Sequence, residues 1–398
     1  MKKIYLDNAA STMVNSEVLN EMLPYFTEKY GNSNSLHEFG RTANAGLDLA
    51  RERIAKAINC QSNEIYFTSG ATESNNWAIK GIAESYMDKG KHIIVSCIEH
   101  PSIIEPCKYL EKHGFKVTYL PVDKNGIVSL ADLLHNIDKE TILVSIMSAN
   151  NEMGTIQHLK AIAQTTKEKG VLFHTDATQG IGAFNIDVQE LGVDMLTISG
   201  HKIGGPKGIG ALYIKNGIGI EPLLHGGHQE RLRRGGTSNV PGAVGLGKAV
   251  EVATRDITIN AQKLKKIRDY FIKQVLDRIE YTKLNGHPIQ RLANNANISF
   301  GMIEGESIML MLDLEGISVS TGSACSLGVV EPSNILLAMG LSENLAKGAV
   351  RFTFSKNITK SDVDYVVEKL EAIVKKLRSY SPLSKSKFDE FKNEKKGE

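Results

Sequence analysis

Through the first half of the chain, short apolar runs alternate with longer stretches whose apolar residues recur every three or four positions. The runs 4–6, 64–68, 92–96, 115–120, 141–146, 171–175, 194–198 and 211–214 are rich in Ile, Val, Leu, Phe and Tyr. Short, nearly continuous apolar runs of this kind predict strands buried on both faces. The stretches 16–25, 41–58 and one through Trp77, Ile79 and Ile82 predict helices, with Ser16 capping the first. In the second, Ala45, Leu49, Ile54 and Ala57 are expected on one side, and Trp77 in the third is expected to pack rather than meet a ligand. A helix over 241–278 should leave the sheet. Beyond it come strands near 297–300 and 350–354, and helices near 306–314, 333–339 and 361–378. Strand–helix alternation followed by a smaller mixed segment predicts an α/β fold: a large doubly wound, mostly parallel sheet domain plus a smaller α+β domain. The expected large domain is 16–258, and the expected small domain joins 1–15 to 259–380.

Composition narrows this picture without adding a partner. The chain has 398 residues, 41% of them hydrophobic, which suffices for two cores. Its formal net charge is +2, from 47 basic and 45 acidic residues, so nothing calls for nucleic acid or a membrane surface. The N-terminal lysines precede no long apolar run, so no secretory signal is expected. Cys60, Cys97, Cys107 and Cys325 are scattered, which argues against a disulfide framework or a cysteine-rich zinc site and suits the reducing cytoplasm. Residues 381–398 are polar and mixed in charge, and are expected to be disordered.

The chemistry centres on Ser199-Gly200-His201-Lys202, a glycine-rich turn between two predicted strands. Three readings compete. A phosphate-binding P-loop needs Gly-Lys followed by Ser or Thr and a helix, whereas Lys207 is followed by Gly208 and a strand. An ordinary glycine-rich hairpin is the plain alternative. The third is a lysine set to form a Schiff base with pyridoxal phosphate, and this one demands an acidic partner for the cofactor's ring nitrogen. Asp176 supplies such a partner, at the end of the preceding predicted strand.

Other strand ends carry compatible groups. Ser69-Gly70-Ala71-Thr72-Glu73 leads from a strand into a helix, which can cup a phosphate or merely cap the helix. His100 could lie on a ring or move protons, although a lone histidine is more often structural. Asn150 and Asn151 can bond a planar ligand or cap the helix after them. Arg351, on an apolar strand, needs an anion, either a substrate carboxylate or a structural acid. Cys325 lies among small and hydroxyl residues in a predicted loop, where it can serve as a thiolate or be a buried small hydrophobe.

At this point the chain resembles a family. Asp7-Asn8-Ala9-Ala10, Ser69 to Asn76, Glu99-His100, Asn150 to Gly154, Asp176 to Gln179, Ser199 to Lys202 and Gly322-Ser323-Ala324-Cys325 occur in the order seen in cysteine desulfurases. These NifS/IscS-like proteins are class V, fold-type I pyridoxal-phosphate-dependent enzymes. The resemblance runs from Tyr5 to about residue 380. It implies that Lys202 binds the cofactor and shuttles protons, that Asp176 pairs with the ring nitrogen, and that Gln179 meets the phenolic oxygen. Ala71, Thr72, Ser199 and His201 would hold the phosphate, with Thr237 reaching it across a homodimer interface. His100 would stack on the ring and act as acid and base. Asn151 and Arg351 would orient cofactor and substrate.

The implied reaction takes sulfur from L-cysteine, giving L-alanine and a persulfide on Cys325. The persulfide would pass to an acceptor or iron–sulfur scaffold protein. No resident metal is implied, and Cys325 is the one residue that could ligate an iron–sulfur cluster transiently. Departures from the pattern are the proline-free loop 31–35, the sequence 326–330 and the lysine-rich tail. All three bear on acceptor choice more than on chemistry. The alternative is a selenocysteine lyase or another class V enzyme, for which Cys325 would matter less.

Overall fold

The computed structural model describes residues 2–322, 325–326 and 329–381, with the backbone alone for 325, 326, 329 and 330. A seven-stranded sheet runs in the order Ile65–Thr68, Gly210–Ile214, Met195–Ser199, Leu172–Asp176, Thr141–Ser145, His92–Ser96, Lys116–Leu120. All are parallel except Gly210–Ile214, which is antiparallel to both neighbours. That exception comes from its connection. Residues 200–209 form only a tight turn, with no crossover helix to carry the chain back.

Both faces of the sheet are covered, so six of the seven strands are buried almost throughout, and only the edge strand Lys116–Leu120 is partly open. Helices Glu38–Ile58 and Val240–Thr254 close one face through Leu47, Ile54, Val244 and Leu246. Helices Ala71–Tyr86 and Pro101–Glu111 close the other through Trp77, Ile82 and Ile103. Trp77 packs as expected, edge-on to Tyr66, with its indole N–H donating to the Glu221 carbonyl at 2.8 Å.

A second core lies around the three-stranded antiparallel sheet Ala349–Thr353, Asn295–Phe300, Thr282–Asn285. Phe271, Phe352 and Phe354 cluster there beneath helices Ile257–Arg278 and Lys360–Tyr380. The N-terminal strand Ile4–Tyr5 pairs in parallel with Ile317–Ser318 and puts Ile4 and Leu6 into this core. The polar strand Thr282–Asn285 and the short Ile317–Ser318 carry too little apolar pattern to be foreseen.

Three expectations are corrected. The stretch 16–25 is two helices, Ser16–Met22 capped by the Asn15 side chain and Pro24–Thr27. Pro24 has no N–H to continue the first ladder. The stretch 41–58 begins at Glu38, and its inner row is Ala43, Leu47, Ala50, Ile54 and Ile58, leaving Ala45 and Leu49 exposed. Close backbone approaches set that face. A Cβ on Gly46 would fall 2.6 Å from the Tyr25 ring, and one on Gly247 would fall 2.6 Å from the Ala50 Cα. The single helix over 241–278 is instead Val240–Thr254 and Ile257–Arg278, broken at Asp256, where φ is −135°. The first piece belongs to the sheet core and the second to the smaller core, so the chain must turn between them. Among the described residues no helix is long and apolar enough to cross a membrane.

Candidate functional site

The C-terminal ends of the parallel strands open onto one cavity of about 590 Å³, within the ordinary range for small-ligand sites. Segments following five of these strands line it, and Ala9, Ala10, Ser11 and Arg351 close it from the second core's side.

One end is built from neutral donors. Gly70 precedes helix Ala71–Tyr86 with φ 151° and ψ 179°, a conformation open only to glycine. No side chain caps this helix, and its first internal bond is Ser74 N–H to the Gly70 carbonyl at 3.1 Å. The amides of residues 71–73 therefore have no intrahelical acceptor, which suits an anion. Ser199 and His201 line the same cavity. Burial and the nearby lysines Lys202 and Lys207 push the His201 imidazole down to about 4, so it is neutral at ordinary pH. Behind this end, Arg234 grips Glu73 with both arms of its fork, at 2.8 and 3.0 Å. Burial works to raise the Glu73 carboxyl, but Arg234 and the Ser69 amide bring it below its usual range.

At the centre, the Lys202 amine donates to the Ala9 and Ala10 carbonyls at 2.6 and 2.8 Å. Burial, helped by the charge of Arg351 and partly opposed by Asp7 and Asp176, lowers it to about 8. The Asp176 carboxylate accepts from Asn75 Nδ2 at 2.7 Å and the Thr178 amide at 2.8 Å. Among the described residues no cation lies within ion-pair distance of it. Asn75 also donates to Ser102 Oγ at 2.8 Å, and that hydroxyl bonds His100 Nδ1 at 2.8 Å. Burial and Lys202 hold His100 below its usual range against the pull of Asp176. Gln179 is oriented by the Ala9 carbonyl at 3.1 Å.

The other end carries charge. Arg351 donates to Asp7 Oδ1 at 2.9 Å and to the Asn151 carbonyl at 3.1 Å, while its buried Nε has no partner. Asp7 is thus a structural acid for Arg351, and the guanidinium keeps N–H donors beyond those two bonds.

These residues fit pyridoxal phosphate on three observations: an uncapped helix N-terminus, an amine that loses its proton near neutrality, and an unpaired carboxylate on the same cavity wall. Ala71, Thr72, His100, Asn151, Asp176, Gln179, Ser199, His201, Lys202 and Arg351 all line this cavity. Thr237 does not. It lines an adjoining cleft of about 190 Å³, which shares Ser69, Gly208 and Ile209 with the main cavity. Cys325 begins a strand, Cys325–Ser326, paired antiparallel with Val329–Val330, and its side chain lies outside the described residues, as do residues 382–398 of the expected tail. Sequence reasoning missed the supporting residues Glu73, Asn75, Ser102 and Asp7. Glu73 read as an ordinary first-turn acid, and no sequence signal linked it to Arg234.

Comparison with known proteins agrees with this geometry. A family model described as Aminotransferase class-V matches residues 4–366. A protein from Methanosarcina thermophila named cysteine desulfurase IscS is 53% identical over 387 residues, covering 97% of this chain and 96% of its own. Among solved structures, one titled NifS-like protein superposes with a TM-score of 0.90 at 40% identity, covering 94% of this chain and 100% of its own. Another, titled SspA in complex with cysteine, superposes with a TM-score of 0.79 at 36% identity, covering 88% and 99%.

Proposed function

The chain belongs to the class-V aminotransferase family and is a pyridoxal-phosphate-dependent cysteine desulfurase, and on that premise we propose that it moves the sulfur of L-cysteine onto Cys325. The observation that carries this reading is Lys202, an amine lowered to about 8, in one cavity with Asp176, His100 and an uncapped helix N-terminus.

Bound pyridoxal phosphate supplies an electron sink that makes the substrate's Cα–H acidic. The amides of Ala71 and Thr72, with Ser199 and His201, would hold its phosphate, and Thr237 of a second copy would complete that end in a homodimer. Asp176 would keep the ring nitrogen protonated, and Gln179 would meet the phenolic oxygen. The Arg351 guanidinium, with Asn151, takes the substrate carboxylate. Lys202 Nζ, once neutral, removes the α-proton and later returns one. The Cys325 thiolate sulfur then bonds to the substrate sulfur as the substrate's Cβ–S bond breaks. The electron pair stays with carbon, and His100, having taken the proton of the substrate thiol, delivers it to complete the methyl group of L-alanine. The persulfide passes to an acceptor or iron–sulfur scaffold protein in the cytoplasm. The two cores correspond to a large domain over 16–258 and a small one joining 1–15 to 259–380.

The test is release of alanine and sulfide from L-cysteine with a reductant present, in the parent protein and in Cys325→Ser. The expected result is release by the parent and its loss in the variant, with the cofactor's yellow colour kept in both. Equal release by both would overturn the role of Cys325 and indicate a lyase that forms no persulfide.

A further inference from the structure

Asn151 and Glu152 are neighbours that serve different places. Asn151 lines the cavity, whereas the carboxylate of Glu152 meets the chain on either side of Cys325. After Cys325, Ser333 Oγ donates to Glu152 Oε2 at 2.6 Å and in turn accepts from the Leu336 amide at 3.3 Å, capping helix Asn334–Ala338. Before Cys325, Gly322 packs so close that a Cβ built on it would stand 2.1 Å from the same oxygen. One carboxylate oxygen thus touches the residue where the Cys325 segment begins and the residue where it ends.

Glu152 is itself firmly held. Its amide donates to Asn150 Oδ1 at 2.8 Å, and its carbonyl accepts from Asn295 and Asn297 side chains at 3.1 and 3.2 Å. The chain entering the segment is also tied to the cavity wall, because Ser320 and Arg351 exchange backbone bonds at 3.2 and 2.7 Å. Burial raises the Glu152 carboxyl to about 7 against the opposing pulls of Ser333 and Arg351, so keeping an acid here is costly for the fold. A polar group whose only task was to cap a five-residue helix would be redundant, since Ser333 already does that.

We infer that Glu152 is a positioning residue for sulfur transfer: it binds Ser333 after the segment that carries Cys325 and packs against Gly322 before it, next to Asn151 of the cavity wall. The inference rests on the proposed role of Cys325 for its kinetic consequence, but its structural content does not. Removing the carboxylate should leave cofactor and substrate binding in place and misplace the cysteine.

The experiment uses the holoenzyme as Glu152→Ala and Glu152→Gln. Three readings are taken: the cofactor's spectral change on mixing with L-cysteine, persulfide on Cys325 in a single turnover by mass spectrometry, and the rate of Cys325 alkylation by iodoacetamide. The expected result for Glu152→Ala is a spectral change within about twofold of the parent, with persulfide formation about tenfold slower or worse, since a displacement near 1 Å can cost more than that. The alkylation rate should shift at least about threefold, and Glu152→Gln, which keeps an acceptor oxygen, should recover most of both.

Gly322→Ala pushes a methyl into the same oxygen and should reproduce the pattern if Glu152→Ala fails to fold. Equal losses in the spectral and persulfide steps would overturn the inference, as would an unchanged alkylation rate. The alkylation reading holds even if Cys325 proves not to accept sulfur, so failure of the anchor and failure of the sulfur-transfer reading can be told apart.

Discussion

The two ends of the cavity solve the same problem, holding an anion, in opposite ways. The Thr72 end uses neutral donors from an uncapped helix and a histidine held neutral, and the Glu73 carboxylate on its wall is paired with Arg234. The Arg351 end puts a full charge on the wall, shared with Asp7 and with N–H donors to spare. Neutral amides fixed by a helix suit a group that stays bound, because they need no counter-ion when empty. A guanidinium already half satisfied suits a group that comes and goes, since Asp7 keeps it paired between turnovers. Lys202 shares the cavity with both and feels the charged end, lowered by burial and Arg351 and raised by Asp7 and Asp176.

This contrast can be broken or sharpened by measurement. The largest effect belongs to the residue common to both ends. Lys202→Ala should lower turnover by about 10⁴-fold, measured as alanine formation, because it removes both cofactor attachment and the proton carrier. Next comes Arg351→Met, for which kcat/KM should fall about 10²-fold, mainly through KM, while retention of the cofactor through dialysis is unchanged. If cofactor were lost instead, the division of labour between the ends would be wrong.

Glu73→Gln should do the reverse, loosening the cofactor by about threefold to tenfold in an equilibrium titration with little change in KM.

The smallest effect is on pH. The apoprotein should capture cofactor faster as pH rises, with the midpoint of the rise near 8, because only the neutral Lys202 amine attacks the aldehyde. Arg351→Met should move that profile to higher pH, by removing a repelling cation. Asp7→Asn should move it to lower pH, by removing an attracting anion. Identical profiles in stopped-flow absorbance would show that the charges of the Arg351 end do not reach the lysine.

Legibility followed the same divide. Lys202, Asp176, Thr72 and His100 were readable because each stands at the end of an apolar run, and in a parallel sheet all such ends share one edge. Arg351 was readable as a charge out of place, but its partner Asp7 was not, since only the folded chain brings the N-terminal segment to that strand. The inner face of Glu38–Ile58 was misjudged because Gly46 and Gly247 let two neighbours approach closely, a matter of shape that apolar spacing does not encode. The break at Asp256 was likewise invisible, being a change of core rather than of helix propensity.

The N-terminal segment has a consequence for how the enzyme is made. Its first strand lies against Ile317–Ser318, and the Ala9 amide bonds Thr353 Oγ1, a contact spanning 344 positions of sequence. These residues leave the ribosome more than 300 positions ahead of the partners that seat them. The carbonyls of Ala9 and Ala10 that steady Lys202 therefore arrive last. The nascent sheet can assemble its strand ends early, but the pocket can close only once Thr353 has been made.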